Sequence, residues 1–187
     1  MKKSFRIAGV IALGLLLSAC NKLTQFSVSE QEVNQYLQKH NNFQKQIGIP
    51  GLVDADITVS QLSSQIGRAE PNKVTLTGNA KVNISSILGP QNSDMTLTLK
   101  AQPVYNRDEG AIYLKDMELI DYKVTPEKMS TVMKAIAPYL DQSLKSFFDQ
   151  QPVYTLDPNK NEKEALAKKL AKGLEVKPGE LVIPLAE

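Results

Sequence analysis

Four consecutive stretches between Val53 and Leu119 alternate apolar and polar residues with a period of two, and nothing else in this 187-residue chain restricts its fold so strongly. Val53, Ala55, Ile57 and Val59 share one parity against Asp54, Asp56, Thr58 and Ser60. After Glu70-Pro71-Asn72 the pattern returns as Val74, Leu76, Gly78, Ala80, Val82 and Ile84, and after Gly89-Pro90 as Met95, Leu97, Leu99 and Ala101. Side chains of a strand point alternately to its two faces, so each stretch makes one apolar and one wet surface. The fourth stretch, after Asp108-Glu109-Gly110, begins with Ile112 and Leu114 but resumes on the other parity with Met117 and Leu119. One extra residue near Lys115 and Asp116 restores the face, which predicts a β-bulge there. Long strands adjacent in sequence, each with one apolar face, make an antiparallel meander.

An apolar sheet face needs a cover, and the chain supplies one. From Pro126 to about Gln150, Met129, Val132, Met133, Ile136, Leu140, Leu144, Phe147 and Phe148 recur at threes and fours. This predicts a helix of about 37 Å, with Thr125 as its cap, Pro126 in its first position and a kink at Pro138. A Ser29-x-x-Glu32 capping box opens an earlier helix over about 30–46, carried by Val33, Tyr36, Leu37, His40, Phe43 and Ile47. Smaller elements follow: a strand at 153–156, a helix at 162–172 ending at Gly173, and a last strand at 181–185. The expected class is α+β, a long curved antiparallel meander wrapped around a long amphipathic helix, with an additional N-terminal helix and a short C-terminal one.

The chain begins MKKSFRIAGVIALGLLLSAC. Lys2, Lys3 and Arg6 precede an apolar run of about 11 residues, the size of a signal-peptide core and well short of the roughly 20 needed to span a bilayer. Leu17-Ser18-Ala19-Cys20 resembles the lipobox of bacterial lipoproteins at every position. That resemblance implies that residues 1–19 are removed, that Cys20 carries diacylglycerol and an N-acyl chain, and that Asn21 directs export to the outer membrane. With about 0.8 kcal/mol per buried methylene, three acyl chains make a stable anchor. Residues 20–28 then read as a tether reaching less than about 30 Å, and 29–187 as a single domain. Three of the 22 Lys and Arg lie in the leader and none of the 20 Asp and Glu does, so the mature chain carries 19 basic against 20 acidic side chains. Such a balance gives nucleic acid no electrostatic foothold.

Residue chemistry excludes more than it offers. One His and one Cys leave no pair for the commoner zinc sites, a Cys-His dyad or an intrachain disulfide. His40, on the apolar side of its helix, reads as a partly buried, hydrogen-bonded residue, and Asp54 and Asp56 as part of a wet face. Asp157-x-Asn159-x-Asn161 opens like a calcium loop but has Glu162 where the sixth position needs Gly, and Lys168 where the twelfth needs Glu. There is no Gly-x-Ser-x-Gly, phosphate-binding glycine loop or His-Glu-x-x-His. The expectation is therefore no enzyme, no metal and no cofactor beyond the acyl groups on Cys20. Lys160, Lys163, Lys168, Lys169 and Lys172 make one side of the third helix basic, a solvated face or one that rests on anionic headgroups.

The stretches LTQFSVSEQEVNQYLQKHNNFQKQIGIPG, QIGRAEPNKVTLTGNAKVN, VTPEKMSTVMKAIAPYLDQ and AKKLAKGLEVKPGELVIP together resemble the YceB family of enterobacterial lipoproteins across essentially the whole mature chain. The resemblance implies a fold similar to the tubular lipid-binding (TULIP) superfamily, in which a bent sheet wraps a long helix around an apolar cavity. It carries no catalytic residues over. On it and on the helix stripe rests the leading expectation: a lipid-anchored, periplasm-facing protein of the outer membrane that holds a lipid or other long apolar ligand against Val132, Ile136, Leu140, Leu144 and Phe148. The alternative is a scaffold lipoprotein with a filled core that docks an envelope protein. Because the chain has one thiol, Cys20→Ala is expected to abolish incorporation of a radiolabelled fatty acid, and label retained by the mutant overturns the lipobox reading.

Overall fold

The computed structural model describes residues 23–51, 53–86 and 89–186; the predicted leader and Cys20 lie outside the described residues. In chain order the elements are β1 (Gln25–Ser29), α1 (Glu30–His40), β2 (Gln44–Ile49), β3 (Val53–Ile66), β4 (Val74–Ser86), β5 (Gly89–Asn106), β6 (Ala111–Thr125), a 3-10 turn Glu127–Met129, α2 (Ser130–Gln150), β7 (Tyr154–Thr155), α3 (Glu162–Leu170), β8 (Glu175–Lys177) and β9 (Glu180–Pro184). Among the described residues, β2 to β7 form one six-stranded sheet in sequence order, and β1, β9 and β8 a smaller one.

The meander is antiparallel throughout, and its alternating apolar residues are buried from Val53 to Met117. The predicted bulge is present: Lys100 pairs with Glu118 and Gln102 with Lys115, and Asp116 takes a φ of 51°. A second lies in β3, where Gln61 has a φ of 52° and the buried parity shifts from Val59 to Leu62. The bulge drives Leu62 over Gly78, where an added Cβ would stand 2.6 Å from Leu62 Cδ2. That explains a glycine in the middle of an otherwise apolar face.

The sheet is strongly bent. A helix lying over a flat sheet sits nearest the middle strands, yet α2 approaches β6 and β2, on opposite sides, more closely than the strands between them. The sheet therefore curls around α2, and the helix fills the opening.

Both sheet margins are completed by helices. β2 pairs only with residues 53–58 of β3, and among the described residues the rest of that edge has no strand partner on its outer side. There α1 runs antiparallel to it. Glu30 Oε2 accepts the Ile66 amide at 2.9 Å, Asn34 Oδ1 accepts the Ser64 amide at 2.6 Å and its hydroxyl at 2.8 Å, and Asn41 Nδ2 donates to the Val59 carbonyl at 3.0 Å. The spacing works because four residues of helix advance about 6 Å and two of strand about 6.7 Å. On the other margin Asp141 Oδ1 of α2 accepts the Leu119 amide at 2.6 Å.

Several boundaries differ from the sequence reading. The first helix stops at His40, not 46, because Asn41 turns extended and the chain enters β2. Phe43 and Ile47 are buried there as strand-side residues, and a separation of four fits a period of two as well as one of 3.6. Gln25–Val28, read as tether, are strand: β1 pairs with β9 from Gln25↔Pro184 to Ser29↔Glu180, and Val28 is fully buried. Thr125 stays in β6 and Pro126 is extended, so the long helix begins as a 3-10 turn at Glu127 and as α-helix at Ser130. Pro138 sits inside α2, on its exposed face, without ending it. The third helix stops at Leu170, two residues early, where Ala171 bridges to Leu185. The Ser29–Glu32 capping box is made in both directions.

Two outcomes follow for stability. Leu140 has no exposed surface whereas Val132 is half-buried, so Leu140→Asp is expected to abolish cooperative thermal unfolding and Val132→Asp to lower stability by about 1–2 kcal/mol while the domain still folds. Asn34→Ala, which strands the Ser64 amide, is expected to cost about 1–3 kcal/mol in urea unfolding, with m unchanged.

Candidate functional site

The residues expected to contact a ligand all lie on one stripe of α2, facing the concave side of the sheet. Ile136, Leu140 and Leu144 have no accessible surface and Phe148 has 1%; Val132, one turn from the N-terminus, is half-buried. Met133 joins them, also fully covered. With no water-accessible surface toward solvent or toward an internal void, the middle of the seam between α2 and the sheet is filled with side chains. A void of about 10 Å³ touches the stripe at its far end, between Leu37, Leu62, Phe147, Phe148 and Pro152.

The two halves of α2 are held differently. Toward its C-terminus, Phe147 meets Phe43 and Phe148 edge-on at 5.3 and 5.1 Å between ring centroids. Lys115 Nζ donates to the Asp149 carbonyl at 2.6 Å and stands 3.6 Å from its carboxylate. Toward its N-terminus no side chain caps the helix, and Pro138 has no amide to give the Lys134 carbonyl. Met129, Met133 and Ile136 of this half are buried, while Val132 on the helix and Ile49, Leu119, Tyr122 and Val124 on the strands are only partly buried. Tyr139 is 50% and Ile120 46% exposed. The sequence reading included Leu119 and Val132 but missed Ile49, Tyr122 and Val124. A third bulge, the second within β6, hides the last two: Leu99 pairs with Leu119 and Thr98 with Asp121, so Ile120 is the extra residue and the parity shifts again.

Larger concavities open elsewhere on the surface. One of about 430 Å³ is lined by Ile49, Pro50, Gly51, Val53 and Asp54 near the ends of β2 and β4. Another, of about 540 Å³, lies beside Val104, Glu109, Tyr113, Lys115 and Asp149. In the second, the Tyr113 hydroxyl donates to Glu109, and that hydrogen bond, ahead of burial, pushes the phenol up to about 12.

The polar residues flagged in the sequence serve the fold. His40 is exposed, not partly buried, its Nδ1 2.9 Å from the Tyr36 carbonyl and its ring stacked on Tyr36. Asp54 and Asp56 lie on the wet outer face of β3. In the loop that opens like a calcium site, Asp157 Oδ1 accepts the Asn159 amide and Asn161 caps α3. Glu164, 1% exposed, anchors this loop. Its carboxylate accepts from Lys160 Nζ at 2.6 Å, the Asp157 amide at 2.9 Å and the Tyr154 hydroxyl at 3.2 Å. The hydrogen bond to Glu164 holds the Lys160 ammonium above its ordinary range, while burial raises the Tyr154 phenol. Among the described residues no group of three or more His, Cys, Asp or Glu is placed to hold a metal, and no helix is long and apolar enough to cross a membrane.

Residues 28–180 match the family described as "Protein of unknown function (DUF1439)". The chain is 56% identical over 184 residues to the uncharacterized lipoprotein YceB of Salmonella typhimurium, with 98% of each chain covered. It is 54% identical over 187 residues to the lipoprotein of the same name from Escherichia coli, with 100% of each covered. Neither relative nor family indicates an enzyme. Among solved structures, a crystal structure of lipopolysaccharide binding protein is similar with a TM-score of 0.32 and 9% identity, over 86% of this chain and 49% of that one. With a family match across most of its length and more than half of its residues shared with full-length relatives, the chain belongs to the DUF1439 family, alongside the YceB lipoproteins.

Proposed function

We propose that the protein is a lipid-anchored binding module that takes an acyl chain, or another long apolar ligand, between the N-terminal half of α2 and the bent sheet. Cys20 carries the anchor, and Asn21 after it favours the outer membrane, with the domain facing the periplasm. The supporting observation is the asymmetry of α2. Its C-terminal half is fixed by aromatic contacts and Lys115, while its N-terminal half lies uncapped over apolar residues that stay partly exposed. A modest outward movement of Ser130–Pro138 opens the apolar interior at Val132 and Ile136, with Leu140, Leu144 and Phe148 forming its floor. The sheet bent around a long helix is the arrangement of a tubular lipid-binding fold. In this reading the filled seam is the closed state, whose side chains a ligand displaces; the ligand's differential affinity for the open state drives the change.

A second reading has its own support. Because Ile136, Leu140 and Leu144 are completely covered, a scaffold lipoprotein with a solid core, docking an envelope protein through exposed apolar residues such as Ile120 and Tyr139, also fits. One experiment separates them. A fatty acid bearing a photoreactive diazirine is expected to label peptides containing Val132 and Ile136, and Ile136→Phe is expected to reduce labelling at least severalfold. Absence of any bound lipid in native mass spectrometry, together with no labelling of α2, sinks the binding module. A fall in the unfolding midpoint on Ile136→Phe, from overpacking by about 1–3 kcal/mol, with no ligand signal to lose, supports the scaffold.

A further inference from the structure

The outer face of α3 is a small amphipathic surface set beside the point where the anchored end enters the domain. Its buried side is Glu164 and Ala167. Opposite them, at helical spacing, stand Lys163, Leu166, Lys169 and the partly exposed Leu170, followed by Lys172. Leu166 is 38% exposed, one of few large apolar residues so open among those described. A leucine flanked by lysines three residues to either side matches the interfacial pattern, in which the apolar side chain enters the headgroup boundary while the long lysine stems keep their charges at the phosphates. Glu162 is the one acid on this face. Lys160 is tied to Glu164, and the stem of Lys168 lies against the Gly110 turn, beside Asp108 and Glu109, so neither belongs to the surface.

The position of this face gives it an occupant. The end of β9 binds both the entering chain and α3: the Leu185 amide donates to the Thr24 carbonyl at 2.9 Å, the Ala186 amide to Leu170 at 2.8 Å, and the Lys172 amide to Pro184 at 2.8 Å. Arg107 Nη2 adds a bond to the Lys172 carbonyl at 3.1 Å. Thr24 and the C-terminal end of α3 are thus fixed to one three-residue segment. Thr24 is only four residues along from Cys20, a span of at most about 14 Å. With Cys20 in a bilayer, the end of α3 lies within a short distance of the headgroups whatever the tilt of the domain.

We infer that the Lys163-Leu166-Lys169 face of α3, with Lys172 just past the end of the helix, rests on the anionic phospholipid surface of the membrane that holds the anchor, and so sets the orientation of the domain. The inference builds on the Cys20 anchor but not on the ligand reading. Each lysine close to an anionic surface strengthens partitioning about fivefold, and the attraction shortens with salt as the Debye length falls below about 10 Å.

The test uses the mature chain with Cys20→Ser, which has no anchor, so a failure here is distinct from a failure of Cys20 to be acylated. A solvatochromic dye is placed at Leu166→Cys, or at Thr58→Cys on the outer face of β3 as a control. Co-sedimentation is expected to be at least about tenfold stronger on vesicles containing phosphatidylglycerol than on pure phosphatidylcholine. It should fall as salt is raised and be lost in Lys163→Glu/Lys169→Glu/Lys172→Glu, with a blue shift at position 166 and none at 58. The triple Gln variant, which removes charge without reversing it, is expected to lie between, and circular dichroism checks that both variants fold. Equal binding to the two vesicle types, equal dye shifts at 166 and 58, or self-association through this face in the absence of lipid overturns the inference.

Discussion

An antiparallel sheet that bends without closing leaves two rows of backbone groups along its margins, and buried amides and carbonyls without partners are costly. Much of this structure answers that requirement. On one side β2 covers only the first part of β3, and α1 completes the margin by offering Glu30, Asn34 and Asn41 to the Ile66, Ser64 and Val59 backbone. On the other, β7 reaches only Ala111 and Ile112, and Asp141 on α2 meets Leu119 farther along. Helices therefore act here as edge partners as well as apolar cover. Glu30 and Asn34 of α1, and Asn41 just past its end, are structural contacts to the margin of β3.

Bending also fixes what α2 does. Lying between the margins rather than above the middle of a flat sheet, it converts an open trough into an enclosed core. Its stripe from Met133 to Phe148 is covered because the sheet curls up on both sides of it. At the N-terminal half of the helix the covering is thinner, and there the residues left partly open are apolar: Ile49, Tyr122, Val124 and Val132. A stripe buried along its whole length, flanked at the N-terminal half by apolar strand residues that stay partly open, distinguishes this helix from one that is simply core.

The meander was legible because strand periodicity survives in a sheet with one wet face. The bulge at Asp116 was legible too, since a single parity break between Leu114 and Met117 has one economical explanation. The bulge at Gln61 was not, because Ser60, Gln61, Ser63 and Ser64 are all polar and mask the shift. The seam residues of α2 could be named from their spacing. Whether space or side chains lay opposite them could not, since that depends on how far the sheet bends and no local pattern records curvature. The ends of the chain were the hardest part. Gln25–Val28 is too short and too polar to declare itself a strand, and its partner is more than 150 residues away, so only the closed fold shows that it is not tether.

That pairing has a consequence for how the chain assembles. β1 pairs with a strand more than 150 residues farther along, so their sheet has to wait until residues 180–184 are available, whereas the meander forms from neighbours in sequence. Closing so long a loop carries an entropic cost that local hairpins avoid. A chain made from its N-terminus would carry the meander and helices on an unpaired β1 until residues 180–184 arrive to pair with it. Pro184, Leu185 and Ala186 thus work as a clasp, and removing them would loosen the N-terminal end of the domain.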